Sequence, residues 1–257
     1  MPNTPTDRLS LLLTLALLVL AGCAHPRGEP AASPRWAATR QLVLVTVPGW
    51  DSAQGTLHRY ERDAGAWREL GSSTPVTIGR SGAAWGLGLH DAQADGPVKR
   101  EGDGRAPAGV FAIGPAFGYA ATADTALRYT PMQASHYCID VSDSPLYNRI
   151  VDADEVGDGA VEGSTEPMRR DLHAGGDQRY RLGFVIEHNA VAQAGAGSCI
   201  FAHLWKSPDA ATAGCTAMDP AAMDALLAWL QPARRPVFVL LPEHEYDRLK
   251  DAWHLPR

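Results

Sequence analysis

The sequence has no sustained run of lysine and arginine. Its 23 Lys and Arg are outnumbered by 29 Asp and Glu, giving a formal net charge of -6. That balance excludes a nucleic-acid partner gripped by a basic face. There is also no apolar run of the roughly 20 residues that a membrane-spanning helix needs; the longest candidate covers only residues 9–21. Zinc-type spacing is missing: His136, Cys138, Asp140 and Asp143 lie close together, but no paired half follows. The acidic, Gly-rich stretch DADEVGDGAVEGSTEP (152–167) lacks the ligand spacing of an EF-hand, so it reads as a surface loop. No internal repeat and no low-complexity block occurs inside the domain, and strand patterns do not alternate regularly with helical ones. The last point excludes a doubly wound α/β sheet.

What is present begins with export. The run LSLLLTLALLVLA follows a polar leader carrying Arg8 and has the length of a signal-peptide core. The next residues, LAGC (20–23), resemble the bacterial lipobox. That resemblance implies a signal peptide over residues 1–22, lipid on Cys23 and a membrane anchor through that lipid. Ala24 after the cysteine resembles the outer-membrane sorting pattern, which implies a periplasmic location. The following AHPRGEPAASPRW is too poor in apolar residues to pack, and residues 23–40 read as a flexible tether.

A single domain is expected over 41–242, with a possibly helical tail over 243–257. QLVLVTV, TPVTIGR, AGVFAIG, YRLGFVIEHN, GSCIFAHLW and RPVFVLLP have strand composition and are punctuated by Gly, Pro and Asp. Helical periodicity is clear mainly in DPAAMDALLAWLQP, with Asp219 as N-cap, Pro220 in the first turn, and Met223, Leu226, Leu227 and Leu230 on one face. The expected fold class is therefore mainly β with a few short helices.

Four cysteines are present: Cys23, Cys138, Cys199 and Cys215. With Cys23 lipidated, three remain in an oxidising compartment, and pairing two leaves one thiol. Position in the chain does not say which two pair, and three reduced, buried thiols are the alternative. If Cys215 is a nucleophile it is the free one, and Cys138 and Cys199 form the bridge.

FAHLWKSPDAATAGCTAM places His203 late on a strand and Cys215 twelve residues later, ahead of the helix. A thiol attacks as the thiolate, so a catalytic cysteine needs a base beside it. Gly214 lets the chain turn tightly and bring backbone N–H groups to an oxyanion. Thr212 can add a hydroxyl contact.

This segment resembles the active-site motif of the L,D-transpeptidase (YkuD-like) family, in which a histidine is followed after a variable gap by Ser/Thr-x-Gly-Cys. His203, Thr212, Gly214 and Cys215 match it. A second block, GPVKREGDGRAPAGVFAIGPAFGY (96–119), resembles the family's Gly-Asp-Gly-x-Thr-Pro-x-Gly-x-Phe segment, and WGLGLH and EHN resemble one bacterial branch. The chain departs from the family pattern in a short His203–Cys215 gap, Ala213 before Gly214, Ala106 before Pro107, and no arginine soon after Cys215.

The resemblance implies a YkuD-like β-sandwich and a cofactor-free enzyme, without a metal, acting on peptidoglycan stem peptides. Cys215 would attack, His203 would move the proton, and Gly214–Cys215 N–H groups would hold the oxyanion. Substrate contacts are expected from Thr212, from His188 in VIEHN and from Arg169 in MRR. His188 is also readable as a strand-end histidine satisfied by hydrogen bonds, and Glu187 as a solvated neighbour on the opposite face. The same nucleophile would serve an L,D-carboxypeptidase or amidase-type hydrolase. A non-catalytic peptidoglycan-binding lipoprotein is the reading from another class.

Overall fold

The computed structural model describes residues 33–63 and 65–257. The signal-like run, the lipobox and Cys23 lie outside the described residues. β1 (Gln41–Val47) is buried at nearly every position. Strand side chains alternate between two faces, so continuous burial requires cover on both. After the Pro48-Gly49 turn, β2 (Gln54–Glu61) pairs antiparallel with β1. β3 (Arg68–Glu69) extends that hairpin, and β4 (Thr74–Thr77) pairs with the other edge of β2. β5 (Ala83–Trp85) leads to the long β6 (Ala106–Gly118), and β7 (Tyr129–Pro131) runs parallel to the end of β6. A separate sheet is formed by β8 (His136–Cys138), β9 (Ile150–Asp152) and β10 (Glu166–Pro167). The chain finishes with β11 (Leu182–Ile186), β12 (Phe201–Leu204), β13 (Thr216–Met218) and β14 (Val237–Pro242).

The pairing order β1-β14-β6-β11-β12-β13-β4-β2 returns to β1, so eight strands close into a barrel. Closure removes the free edges that an open sheet of this composition would expose. β14 is buried throughout and runs parallel to β1. The helix Glu243–Leu249 packs on both strands.

The helix Pro220–Trp229 starts where sequence pattern places it. The Asp219 side chain accepts from the Ala221 N–H at 2.8 Å, Pro220 occupies the first turn, and Met223, Leu226, Leu227 and Leu230 are buried in the main core. Gln41 fixes its far end, donating to Trp229 O at 2.8 Å and accepting from Gln231 N at 2.8 Å.

Two boundaries differ from the sequence reading. Residues 33–40 are not all tether: Trp36 is buried in the main core and its Nε1 donates to Trp253 O at 3.0 Å. Residues 243–257 are equally part of the fold, since Leu249, Trp253 and Leu255 are buried in the same core. The compact unit accordingly runs Ser33–Arg257. The composition of the segment is Pro- and Ala-rich overall, and one indole was enough to override it. Among the described residues no helix is long and apolar enough to cross a membrane.

One lateral row of the barrel decides where the site lies. Phe117 of β6 pairs with Gly183 of β11, Gly183 with His203 of β12, and His203 with Ala217 of β13. Residues aligned in this way project to one face. Gly183 is required in the row, because a Cβ there would lie 2.8 Å from the Phe117 ring. On this face Phe117, Met132, Cys138, Met168, Tyr180, Cys199, Phe201 and Cys215 form a second, smaller apolar cluster. The Cys138–Cys199 disulfide belongs to it and ties β8 to the segment entering β12.

Trp36→Ala is expected to destabilise the domain by about 3–5 kcal/mol, the usual cost of deleting a buried tryptophan. Urea denaturation checks it. A loss below about 1 kcal/mol, the level of a surface substitution, would return residues 33–40 to the tether.

Candidate active site

The loop 205–214 carries the chain from β12 back to β13 and is pinned at its end. Thr212 N donates to Ile78 O at 2.9 Å, and Arg80 N donates to Thr212 O at 2.8 Å. The Thr212 hydroxyl is consumed inside the turn: Oγ1 accepts from Gly214 N at 3.0 Å and donates to Cys215 O at 2.7 Å. Gly214 has φ 156°, and a Cβ there would press on Arg105 O at 3.0 Å. Glycine is therefore dictated by both backbone angle and space. Arg105 is the residue just before β6, in the second sequence block that carried the family resemblance.

Cys215 precedes β13 directly, and this short strand separates it from the helix that Asp219 caps. Cys215 lies two residues before Ala217 and shares its face, which is the face of His203. Together with Ala217, Trp205, Arg179 and Glu166, the pair lines a pocket of about 260 Å³. Cys215 Sγ accepts from Phe201 N at 3.4 Å, and its S–H reaches Cys199 O at 3.5 Å.

His203 Nδ1 lies 2.8 Å from Leu204 O. A carbonyl only accepts, so Nδ1 carries the proton and Nε2 presents a lone pair. Burial brings the His203 pKa down to about 4, and burial, with Glu166 adding to it, pushes the Cys215 thiol up to about 12. At neutral pH the pair therefore rests as thiol and neutral imidazole, with no ion pair.

Around this pair stands a polar network that sequence reasoning missed. The Tyr180 ring meets His203 edge to face at 5.4 Å, and its hydroxyl donates to Glu166 Oε1 at 2.6 Å. Arg170 reaches the same Glu166 oxygen at 3.0 Å and lies over the Tyr180 ring at 5.3 Å. Asp177 is held by both Arg170 and Arg179. Burial raises the Glu166 carboxyl above its ordinary range, against the pull of its Tyr180 hydrogen bond and Arg170. Two sequence signals touched it: the loop 152–167, whose last residues are Glu166 and Pro167, and MRR (168–170), which contains Arg170.

The remaining expected contacts fall elsewhere. Arg169 does not line the pocket; its neighbour Arg170 points into the network, and Arg179 supplies the cation at the wall. Thr212 lines the pocket but holds the nucleophile turn with its hydroxyl. Gly214 N–H is committed to Thr212 and is not a free oxyanion donor. His188 is not in the pocket: its Nδ1 accepts from Leu87 N at 3.2 Å and its Nε2 pairs with Ala196 O at 3.0 Å. Both of its nitrogens are thus used in anchoring loops. Cys138, once a conceivable metal ligand, is in the disulfide, and no cluster of three metal-binding side chains occurs among the described residues. No known protein family, curated protein or solved structure matches the chain.

His188 gives a pH prediction. Burial lowers its pKa from 6.5 to about 4 in the folded state, so the unfolded chain binds more protons between these values. The stability carried by the neutral ring is complete above pH ~6.5 and is lost as pH falls toward ~4; His203 acts in the same direction. The Tm of the wild type is expected to fall on acidification from pH 7 to pH 4.5, and less steeply in His188→Gln. Parallel Tm-against-pH curves for the two proteins would remove His188 as a contributor.

Proposed function

We propose that the chain is a cysteine acyltransferase of the L,D-transpeptidase (YkuD-like) type, acting on peptidoglycan stem peptides. The observation that carries this reading is the neutral pair itself: a buried thiol and an imidazole, its Nε2 lone pair free by tautomer, lining one small pocket. The motif match in the sequence gives the reading its substrate class. A YkuD-like β-sandwich goes with it, its two sheets being opposed walls of the closed barrel. Lipid on Cys23 would hold the enzyme at the outer membrane on the periplasmic side, within reach of peptidoglycan.

In the proposed reaction His203 Nε2 takes the thiol proton as sulfur attacks the carbonyl of the scissile amide. Transfer in step with attack suits a thiol whose burial disfavours a free thiolate. The tetrahedral intermediate collapses as the C–N bond breaks, and the imidazolium returns its proton to the leaving amine. The product is a thioester on Cys215. An incoming amine then attacks, His203 takes its proton, and the thiol is restored. If water attacks instead, the outcome is trimming. Arg179 and Lys206 at the pocket wall favour an anionic acyl donor and a developing oxyanion, a part left vacant by the missing arginine after Cys215.

Incubation with purified disaccharide-tetrapeptide, followed by mass spectrometry, tests the reaction. A cross-linked dimer is expected; tripeptide alone means hydrolysis; unchanged substrate means a binding protein. A carbapenem offers a strained carbonyl whose leaving amine stays attached, and one adduct per chain is expected at Cys215. Cys215→Ala should abolish it with the melting curve intact. His203→Ala should slow it by about 10²–10⁴-fold, the usual scale for a positioned general base. An adduct that persists in Cys215→Ala would show that another group is the nucleophile.

A further inference from the structure

A second cavity, of about 650 Å³, lies between the barrel wall and the β8–β10 sheet. It is more than twice the volume of the thiol pocket and within the range of small-molecule sites. Neither Cys215 nor His203 lines it. Phe117 and Val185 form its apolar barrel wall, and Ile150 of β9 faces them. Phe201 also lines it, while the Phe201 N–H donates to Cys215 Sγ. The two cavities are thus neighbours divided by the small apolar cluster.

Four charged side chains that line this cavity have no side-chain partner among the described residues: Glu155, Glu187, Arg128 and Arg149. Glu187 follows β11 and is half-buried, not solvated as its sequence position suggested; Glu155, Arg128 and Arg149 are exposed, so Glu187 is the one carboxylate of the four drawn into the cavity. None of these four makes a salt bridge or a side-chain hydrogen bond among the described residues. Burial raises the Glu187 pKa, opposed only by the charge of Arg128. A carboxylate withdrawn from water gains most from a cation that donates hydrogen bonds. An arginine fork at the mouth matches a carboxylate. The buried polar groups beside it are already used: both His188 nitrogens are bonded, and the Asn148 amide clamps His188 O, Asn189 O and Cys199 N. They give the cavity shape, and the unpaired charges give it selectivity.

We propose that this cavity binds a short free peptide, its terminal ammonium on Glu187 and its terminal carboxylate on Arg128 or Arg149. The volume suits roughly two or three small residues. The inference stands apart from the reaction at Cys215 and needs no turnover.

Calorimetric titration of the folded chain with three probes tests it: alanyl-alanine, N-acetyl-alanyl-alanine, which lacks the ammonium, and alanyl-alaninamide, which lacks the carboxylate. Saturable binding of alanyl-alanine is expected, at least tenfold tighter than either blocked form. Glu187→Gln should weaken alanyl-alanine at least tenfold and leave the acetylated probe unchanged. Arg128→Ala with Arg149→Ala should abolish the preference for the free carboxylate. Thermal melts confirm folding of each variant, and the probe series on the wild type decides the matter alone if a variant fails to fold. Equal affinity for blocked and free probes, or no saturation by alanyl-alanine, overturns the proposal. Because binding is read directly, this result is independent of whether Cys215 forms a thioester.

Discussion

The parallel pairing of β12 with β13 is the constraint on which the site depends. His203 sits opposite Ala217 because Ala202 sits opposite Thr216, and the same register brings Cys215 level with Phe201. A slip of one residue would turn every side chain of β13 to the other face. The thiol would then enter the main core and leave the imidazole alone. Parallel neighbours cannot be joined by a tight hairpin. The loop 205–214 makes the crossover, and its anchorage to Ile78 and Arg80 keeps it short of freedom. Register, loop anchorage and the Gly214 turn thus act as one device. The strand that carries the imidazole and the strand that follows the thiol are neighbours in the same closed wall.

Much of this was legible in the chain because the deciding interactions are local. Asp219, Pro220 and the apolar face of the following helix are all set by residues within three turns of one another. The His203 strand and the Gly214 turn likewise carry their own punctuation. What stayed hidden depends on distant pairing. Glu166, Arg170, Asp177, Arg179 and Tyr180 lie 35 to 49 residues before Cys215, in a stretch whose composition resembles that of any solvated loop. β10, which carries Glu166, and the turn into β11, which carries Arg179 and Tyr180 and packs on β12, make them neighbours of the thiol. Arg169 and Arg170 illustrate the limit: adjacent in sequence and equal in chemistry, they are separated by backbone direction alone. Thr212 illustrates another, since a hydroxyl beside a nucleophile can serve substrate or scaffold, and nothing short of its partners tells which.

The electrostatics of the site follow from its burial. A thiolate–imidazolium pair needs water or fixed dipoles to support two charges. Here Cys215 receives one backbone N–H and His203 faces a tyrosine ring. The neutral arrangement is the lower in energy. Tyr180 occupies the middle of this balance, with one edge toward the imidazole and its hydroxyl committed to Glu166. The Glu166 charge is screened from the sulfur by Arg170 and the hydroxyl, which keeps its opposition to a thiolate finite.

The disulfide has a consequence for the order of assembly. Cys199 is 16 residues from Cys215 but 61 from Cys138. In an unfolded chain the shorter loop closes at lower entropic cost, by about 1 kcal/mol on the logarithmic scale for flexible loops. Random oxidation therefore favours the pair that would destroy the thiol. The finished fold reverses that preference, because it offers Cys215 the carbonyl of Cys199 and gives the sulfur of Cys199 to β8. Whether a newly made chain keeps Cys215 as a free thiol thus becomes a race between sulfur chemistry and β-sheet docking, and the chain must complete its barrel before its cysteines find each other by proximity.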